Sequence, residues 1–112
     1  QGGIAAGEYF SSLPEMPTAV ACANDMIAIG LMQYCQRNGI QVPDDVSVVG
    51  RDNIEYAEYF NPSITTVTND SGEFAEKAMS LLFSRIDGSY TGDPRECLCD
   101  RRLIVRNSTR PL

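Results

Sequence analysis

The sequence predicts an α/β fold in which helices flank a parallel sheet. Two short apolar runs, at 18–23 and 46–50, are rich in small and β-branched residues, and each ends abruptly in Asn or Asp. A helical pattern lies between them, and a strand–helix–strand unit favours parallel pairing with a right-handed crossover. A third β-branched run at 64–68, followed by a second strong helical pattern, continues the alternation.

The composition limits the classes of function. The chain has 112 residues, 43% of them apolar, which suits one modest domain with a real core. Its formal charge of −6 argues against binding of nucleic acid or of a membrane surface by this segment itself. No apolar run approaches the roughly 20 residues that span a bilayer, and no signal peptide is visible. Because the chain starts at Gln1 rather than Met, we expect a fragment or a processed chain.

The first helix is predicted over residues 2–13 from the spacing of its apolar residues. Gly3 and Gly7 lower its helix propensity but allow close packing, which we expect to be against the sheet. Pro14 and Pro17 end it, because neither can continue a helix.

The first strand–helix–strand unit follows. A buried strand over 18–23 leads to a helix that Asn24 or Asp25 caps and that runs to about Asn38. The second strand covers 46–50. The predicted inner face of the helix comprises Ile27, Leu31, Tyr34 and Cys35, with Ala28 and Met32 beside it.

The second half contains a short aromatic-rich helix at 54–60, the third strand at 64–68, and a helix over 70–86 that opens in a capping box. One or two strands are expected within 96–106, and the tail 107–112 is expected to fray. A stripe at helical spacing predicts the core face of the long helix, namely Phe74, Ala78, Leu81, Leu82 and Ile86.

Four cysteines, Cys22, Cys35, Cys97 and Cys99, are interpreted as free thiols of a cytosolic protein. Cys97 and Cys99 would share one face of a strand. Two thiols in a chain with no His do not make up a zinc site. The sequence therefore indicates neither a metal nor a cofactor.

Polar residues follow the first two strands where each strand ends. Asn24 and Asp25 follow the first, and Asp52 and Asn53 follow the second. Ligands of open parallel sheets bind beyond the carboxyl ends of the strands. The sequence therefore predicts a site at this edge for a polar ligand that is uncharged or weakly charged.

Four segments stand out, in order along the chain: PTAVACANDMIAIG at 17–30, VPDDVSVVGRDN at 42–53, NPSITTV at 61–67 and LIVRNST at 103–109. In sequence and in spacing they resemble motifs of the LacI/GalR transcriptional regulators. On these segments the chain is identified as a member of that family, from the C-terminal part of its sugar-sensing core.

The resemblance implies a periplasmic-binding-protein-like core of type I, in which a hinge joins two α/β subdomains. Residues 1–53 and 95–112 would belong to the C-terminal subdomain, and residues 54–94 would cross into the N-terminal subdomain. The DNA-binding headpiece and most of the N-terminal subdomain would lie outside this chain, which would then be an incomplete fragment.

The resemblance also implies the ligand contacts. Asn24 would face the cleft, Asp52 would be the main polar anchor, and Asn69 would reach in from the other subdomain. Arg51 departs from the family, which usually has an aromatic residue there. It is either solvated, the favoured interpretation, or a contact to an anionic ligand. A carboxylate suits sugar hydroxyls because it forms charge-assisted hydrogen bonds, while Asn both donates and accepts.

Plainer roles stand beside these. Asn24 or Asp25 is expected to cap a helix in any case, Asp52 is a common turn former, and Asn69 could be a cap or turn residue.

A cluster of aromatic residues lies in the short helix. Tyr56, Tyr59 and Phe60 are either core residues or part of a subunit interface. The resemblance favours the interface, since this region contributes to the dimer in the family.

The expected function is a non-enzymatic effector-sensing domain of a cytoplasmic, homodimeric regulator. A sugar or nucleoside-like effector would close the cleft and change DNA affinity through the headpiece, with no membrane partner. The alternative is a periplasmic sugar-binding receptor of a transporter. An enzyme using Asp25 and Asp52 is disfavoured, because the chain lacks His, a nucleophile elbow and a Gly-rich phosphate loop.

Overall fold

The computed structural model describes residues 1–69 and 71–111, with the backbone alone described at 69 and 71. Four helices and four strands alternate along these residues. The helices are α1 (Gly2–Ser11), α2 (Asp25–Arg37), α3 (Glu55–Tyr59) and α4 (Ser71–Ile86). The strands are β1 (Ala19–Ala21), β2 (Ser47–Arg51), β3 (Thr65–Asn69) and β4 (Arg101–Ile104).

The sheet has the order β1-β2-β3-β4. β1 pairs with β2 in parallel, with Val20 opposite Val48, and β2 pairs with β3 in parallel, with Gly50 opposite Thr66. The predicted α/β class, with a parallel sheet and flanking helices, is confirmed. Because these three strands run the same way, their carboxyl ends meet at one edge of the sheet.

The chain divides into two compact units. The first contains Gln1–Thr68 and Leu103–Leu112, and the second contains Asn69–Arg102. The chain thus leaves the first unit at Asn69, and residues 54–68, which the resemblance had placed in the crossing segment, lie with β1 and β2.

The core of the first unit lies between α2 and the sheet. Leu31 and Cys35 of α2 are almost fully buried, as are Val46 and Val48 beside and within β2. The predicted inner face of α2 is confirmed at Leu31 and Cys35, and at Ala28 and Met32 beside them. The full cluster of buried apolar residues is Ala28, Leu31, Met32, Cys35, Val46, Val48, Ala57 and Ile64.

The two buried glycines of α1 contact α2 and not the sheet. A Cβ on Gly3 would lie 2.1 Å from the carbonyl oxygen of Ile27, and a Cβ on Gly7 would lie 2.4 Å from the ring of Tyr34. The expected packing against the sheet is wrong. The missing side chains instead let two helix backbones approach each other.

β1 is not the buried strand that the sequence predicts. It has only three residues, and Ala19 and Ala21 are exposed while Val20 is half-buried. Among the described residues β1 pairs with β2 alone, so it lies at the edge of the sheet and has a neighbouring strand on one side only.

The apolar stripe of α4 was expected in the core and is exposed. Phe74 is 54% exposed, Leu82 51% and Ile86 68%. Among its described residues, the second unit has no other helix that could cover this face.

The carboxyl-terminal tail does not fray as expected. Ser108 is fully buried, and its hydroxyl donates to the Val48 carbonyl (2.5 Å) and accepts from the Thr65 amide (2.8 Å). The Val48 amide donates to the Ser108 carbonyl at 2.8 Å. The tail therefore lies between the beginnings of β2 and β3. We call the contacts of Val48, Thr65 and Ser108 the Ser108 junction.

Candidate ligand-binding site

The chain turns sharply where β2 ends. Asp52 has φ +104° and Asn53 has φ +53°, both in the left-handed region. Asn tolerates this region better than most residues, so Asn53 is accommodated. The φ of Asp52 lies beyond the usual limits of the left-handed region, and its backbone is therefore strained. The side chain of Asp52 is 54% exposed, and its amide donates to the Val67 carbonyl at 2.9 Å. We call residues 51–54 the Asp52 turn.

Asp25 lies beneath this turn and is fully buried. Its Oδ2 accepts from the amide of Ile54 at 2.9 Å, and its Oδ1 accepts from the hydroxyl of Thr66 at 2.7 Å. A Cβ on Gly50 would lie 2.0 Å from Oδ1, so only glycine leaves room for this carboxylate. Asp25 is therefore satisfied within the protein and is not open to a ligand.

The Thr66 hydroxyl connects Asp25 to the turn. It donates to Asp25 and accepts from the Asn53 amide at 3.4 Å. The two amides that follow Asp52, those of Asn53 and Ile54, are thus both tied to Asp25, one through Thr66 and one directly.

Arg106 holds the turn from another side. Its Nη2 donates to Asn53 Oδ1 and its Nη1 donates to the Ile64 carbonyl, both at 2.9 Å. Its side chain is only 14% exposed, and Nη2 lies 4.0 Å from Glu58 Oε2. Charge-assisted hydrogen bonds from a guanidinium are stronger than neutral ones and fix orientation.

Asn24 is the N-cap of α2. Its Oδ1 accepts from the Ile27 amide at 2.9 Å, which satisfies one orphan donor of the first turn. Of the two candidate caps, the structure thus assigns the role to Asn24, while Asp25 makes the long-range contacts. The carboxamide of Asn24 is half-buried.

Arg51 lies beside Asp52 at the exposed end of β2. Its Nε is 3.9 Å from Asp52 Oδ1, and the two side chains are 49% and 54% exposed. An exposed ion pair of this length contributes little to stability.

Asn69 is the last residue of β3, but its side chain lies outside the described residues, as does all of Asp70, with which the predicted capping box begins.

The three aromatic residues near α3 separate into two kinds. Tyr56 and Tyr59 are 71% and 74% exposed, whereas Phe60 packs against the core of the first unit. At a spacing of three residues the two tyrosines share one face of the helix, opposite the buried Ala57.

Cys22 follows β1 and is close to Asp25. Burial, and then the negative charge of Asp25, raise the pKa of its thiol to about 11. At neutral pH it is protonated and a poor nucleophile. Among the described residues, no three His, Cys, Asp or Glu side chains lie close enough together to hold a metal ion.

A concave pocket of about 320 Å³ lies away from the Asp52 turn, near the residues that precede β3. Neither Asn24 nor Asp52 lines it. Its lining residues are Met32, Gln36, Ile40, Gln41, Val42, Asn61 and Pro62.

Residues 3–109 match the family of periplasmic binding protein-like domains. The chain belongs to this family. The resemblance to LacI/GalR regulators is also confirmed, since the HTH-type transcriptional repressor PurR of Vibrio campbellii is 38% identical over 109 residues, which are 97% of this chain and 32% of that repressor. The chain thus spans about a third of the length of this relative.

Solved structures of LacI-type regulators are also similar to this chain. A LacI-type transcription regulator from Bifidobacterium animalis subsp. lactis has a TM-score of 0.89 and 40% identity, covering 96% of this chain and 38% of the regulator. A LacI family regulator from Enterococcus faecium with bound ribose has a TM-score of 0.85 and 31% identity, covering 100% of this chain and 41% of the regulator. None of the helices in the described part of this chain has the length and apolar character to cross a membrane.

Two residues around the Asp52 turn were not assigned roles from sequence, although both lie in the family-like segments. Thr66 looks like one of several β-branched strand residues, and Arg106 looks like an exposed base at the end of the last predicted strand. A signal for Arg106 was its place among apolar and hydroxyl residues, where an arginine needs partners.

Proposed function

We propose that this chain is the effector-binding part of a LacI-type transcriptional regulator, and that its effector is a hydroxyl-rich compound such as a sugar or a nucleoside. The observation that carries the proposal is the Asp52 turn. An exposed carboxylate is held in a strained conformation at the carboxyl ends of parallel strands, in a family whose members include a ribose-bound regulator.

Asp52 is the proposed anchor because its carboxylate accepts hydrogen bonds from hydroxyl groups with charge assistance. Asn24 and Asn69 are proposed as neutral partners that both donate and accept. The cap on α2 occupies Asn24 Oδ1, so its Nδ2 is the group proposed to donate to a ligand oxygen. Residues 1–53 and 95–112 are proposed as C-terminal subdomain, and 54–94 as the segment that enters the N-terminal subdomain, a crossing that the division into two units supports from Asn69 onward.

The role of Arg51 distinguishes a neutral ligand from an anionic one. Its separation from Asp52 and its exposure support a solvated ion pair, which leaves a neutral ligand as the favoured class. A phosphorylated or carboxylated effector would instead recruit the guanidinium directly.

A homodimer is proposed for the protein that contains this chain, with Tyr56 and Tyr59 at the contact between copies and Phe60 supporting them from the core. Exposed tyrosines on one helix face are typical of interface anchors. Substituting both tyrosines with Glu should shift that protein from dimer to monomer in sedimentation velocity. An unchanged dimer would remove these residues from the interface.

The regulator is favoured over a periplasmic receptor because the relatives are transcriptional repressors. We accordingly propose a cytoplasmic protein whose DNA-binding headpiece lies outside this chain. A two-carboxylate enzyme loses support because Asp25 is fully buried and both of its oxygens accept internal hydrogen bonds.

The test is a thermal-shift screen of the full-length protein that contains this chain, against sugars, including ribose, and nucleosides. A ligand at about 100 times its dissociation constant stabilises the folded state by about 2.7 kcal/mol, which raises the melting temperature by several degrees. Asp52→Ala should abolish the shift.

The matched control is Asp44→Ala, since Asp44 is also exposed and follows no strand end. It should leave the shift unchanged. A hit that survives Asp52→Ala would remove Asp52 from the site, and no hit in the panel would overturn the sugar or nucleoside class. Loss of binding in Arg51→Ala only for anionic ligands would identify an anionic effector.

A further inference from the structure

The conformation of the Asp52 turn requires support that local sequence does not supply. Asp52 and Asn53 follow each other with φ of +104° and +53°. Left-handed backbone at two successive residues without glycine is unfavourable and persists only where surrounding contacts determine it. The contacts that hold it here come from outside the turn.

We propose that Asp25, acting through Thr66 and together with Arg106, is a positioning residue that holds the Asp52 turn in the conformation that presents the Asp52 carboxylate. This inference rests on the proposed ligand site. Asp25 does not contact the ligand in this proposal, and its effect on affinity passes through the backbone of the turn.

The first support is the direction of the hydrogen bonds. The turn presents two consecutive amides, of Asn53 and Ile54, to the interior. Asp25 accepts the second directly and the first through the Thr66 hydroxyl. A carboxylate is the one side chain of this size that accepts from both without offering a competing donor.

The second support is that room is reserved for this carboxylate. Gly50 faces Asp25 Oδ1 so closely that a Cβ would lie 2.0 Å from it. Arg106 then fixes the opposite side of the turn, because its Nη2 donates to Asn53 Oδ1. The two sides are independent, since Asp25 begins α2 and Arg106 follows β4.

The experiment measures the turn itself and ligand binding separately, in the full-length protein that contains this chain. The first readout is hydrogen exchange of the Ile54 amide relative to that of Leu31 in α2. In Asp25→Asn the acceptor of the Ile54 amide loses its negative charge, which weakens that hydrogen bond, and the bond is lost altogether where the side-chain NH₂ faces the amide. We expect Ile54 to exchange at least about tenfold faster relative to Leu31.

Thr66 supplies a conservative pair. Thr66→Val keeps the shape but removes the hydroxyl, and it should speed exchange at Asn53 and Ile54. Thr66→Ser restores the hydroxyl and should return both amides to wild-type exchange. Equal behaviour of the Val and Ser variants would overturn the role of the hydroxyl.

Ser108→Ala is the matched control for a merely structural loss. Ser108 is as buried as Asp25, and its side chain also makes two hydrogen bonds, to Val48 and Thr65 near the amino-terminal ends of β2 and β3. It should leave the ratio of Ile54 to Leu31 exchange unchanged. If Ser108→Ala changes that ratio as much as Asp25→Asn, Asp25 has no specific positioning role.

The second readout is ribose affinity by titration calorimetry. Asp25→Asn should weaken it by about tenfold or more, and Ser108→Ala by less than about twofold. If wild-type protein does not bind ribose, the proposed ligand class is in error for this sugar while the exchange readout still decides the positioning role. If wild type binds and Asp25→Asn binds equally well, the positioning inference is wrong and the ligand site stands.

Discussion

The two ends of the β2–β3 pair are both built from polar side chains, but they differ in whether those side chains are buried or open to solvent. At the Ser108 junction, the Ser108 hydroxyl donates to one buried backbone group and accepts from another. At the Asp52 turn, a buried hydrogen bond between Thr66 and Asp25 lies below strained backbone, and that backbone carries the exposed carboxylate of Asp52. A closed network stabilises the fold, whereas a network that holds an exposed, strained group is suited to binding.

The largest effect is expected from Gly50→Ala, which adds a side chain against the buried carboxylate beneath the turn. The new Cβ would overlap Asp25 Oδ1 and displace the carboxylate from both of its donors. We expect a loss of about 3 kcal/mol in the free energy of unfolding, measured with urea. Gly2→Ala is the control, because a Cβ there has no neighbour within 4 Å. Equal stability of the two variants would contradict the tight contact.

Ser108→Ala attacks the other end of the strands. It leaves the Thr65 amide and the Val48 carbonyl without the hydroxyl, and should lower stability by about 2 kcal/mol. Effector affinity should not change. Ser12→Ala, at an exposed helix end, should lower the free energy of unfolding by a few tenths of a kcal/mol at most. A loss of affinity in Ser108→Ala would erase the distinction between the two ends.

Asp52→Gly should separate stability from binding at the turn. Glycine adopts φ +104° without strain, so stability should rise by up to about 1 kcal/mol after the greater entropy of the unfolded glycine is subtracted. Binding of a hydroxyl-rich effector should be lost. Asp44→Gly, where φ is not positive, should be slightly destabilising. A destabilised Asp52→Gly would show that the turn is not strained.

The smallest effect concerns Cys22, beside the buried Asp25. Its pKa of about 11, against an ordinary 9.0, makes the thiolate about 100-fold rarer at pH 8. Alkylation followed by mass spectrometry should therefore be at least that much slower in folded than in unfolded protein. Because the folded pKa is raised, the stability gained from the neutral thiol is present below pH 9 and is lost as pH rises to about 11.

Exposed Cys97 is the internal control for that measurement. It should react at similar rates in the folded and unfolded protein. Fast reaction of folded Cys22 would mean that it is less buried than its surroundings indicate.

Much of the fold was predictable because local patterns carry it. The 3.6-residue periodicity of α2 and its polar start predicted its boundaries to within about one residue. The core stripe of α4 was predicted with the same logic and is exposed, because periodicity reports an apolar face but not whether another element covers it. The tail was misjudged because polar residues such as Ser108 are usually exposed, and only their partners in β2 and β3 bury them.

By itself the sequence determined the order of helices and strands, the family, and the position of Asp52 where β2 ends. Only the tertiary structure decided between Asn24 and Asp25, adjacent residues that cap helices equally well. It assigned Asn24 to the cap and Asp25 to partners 29 and 41 positions away. Hydrogen bonds over such separations depend on how the strands pair within the sheet, and no local pattern of residues encodes that arrangement.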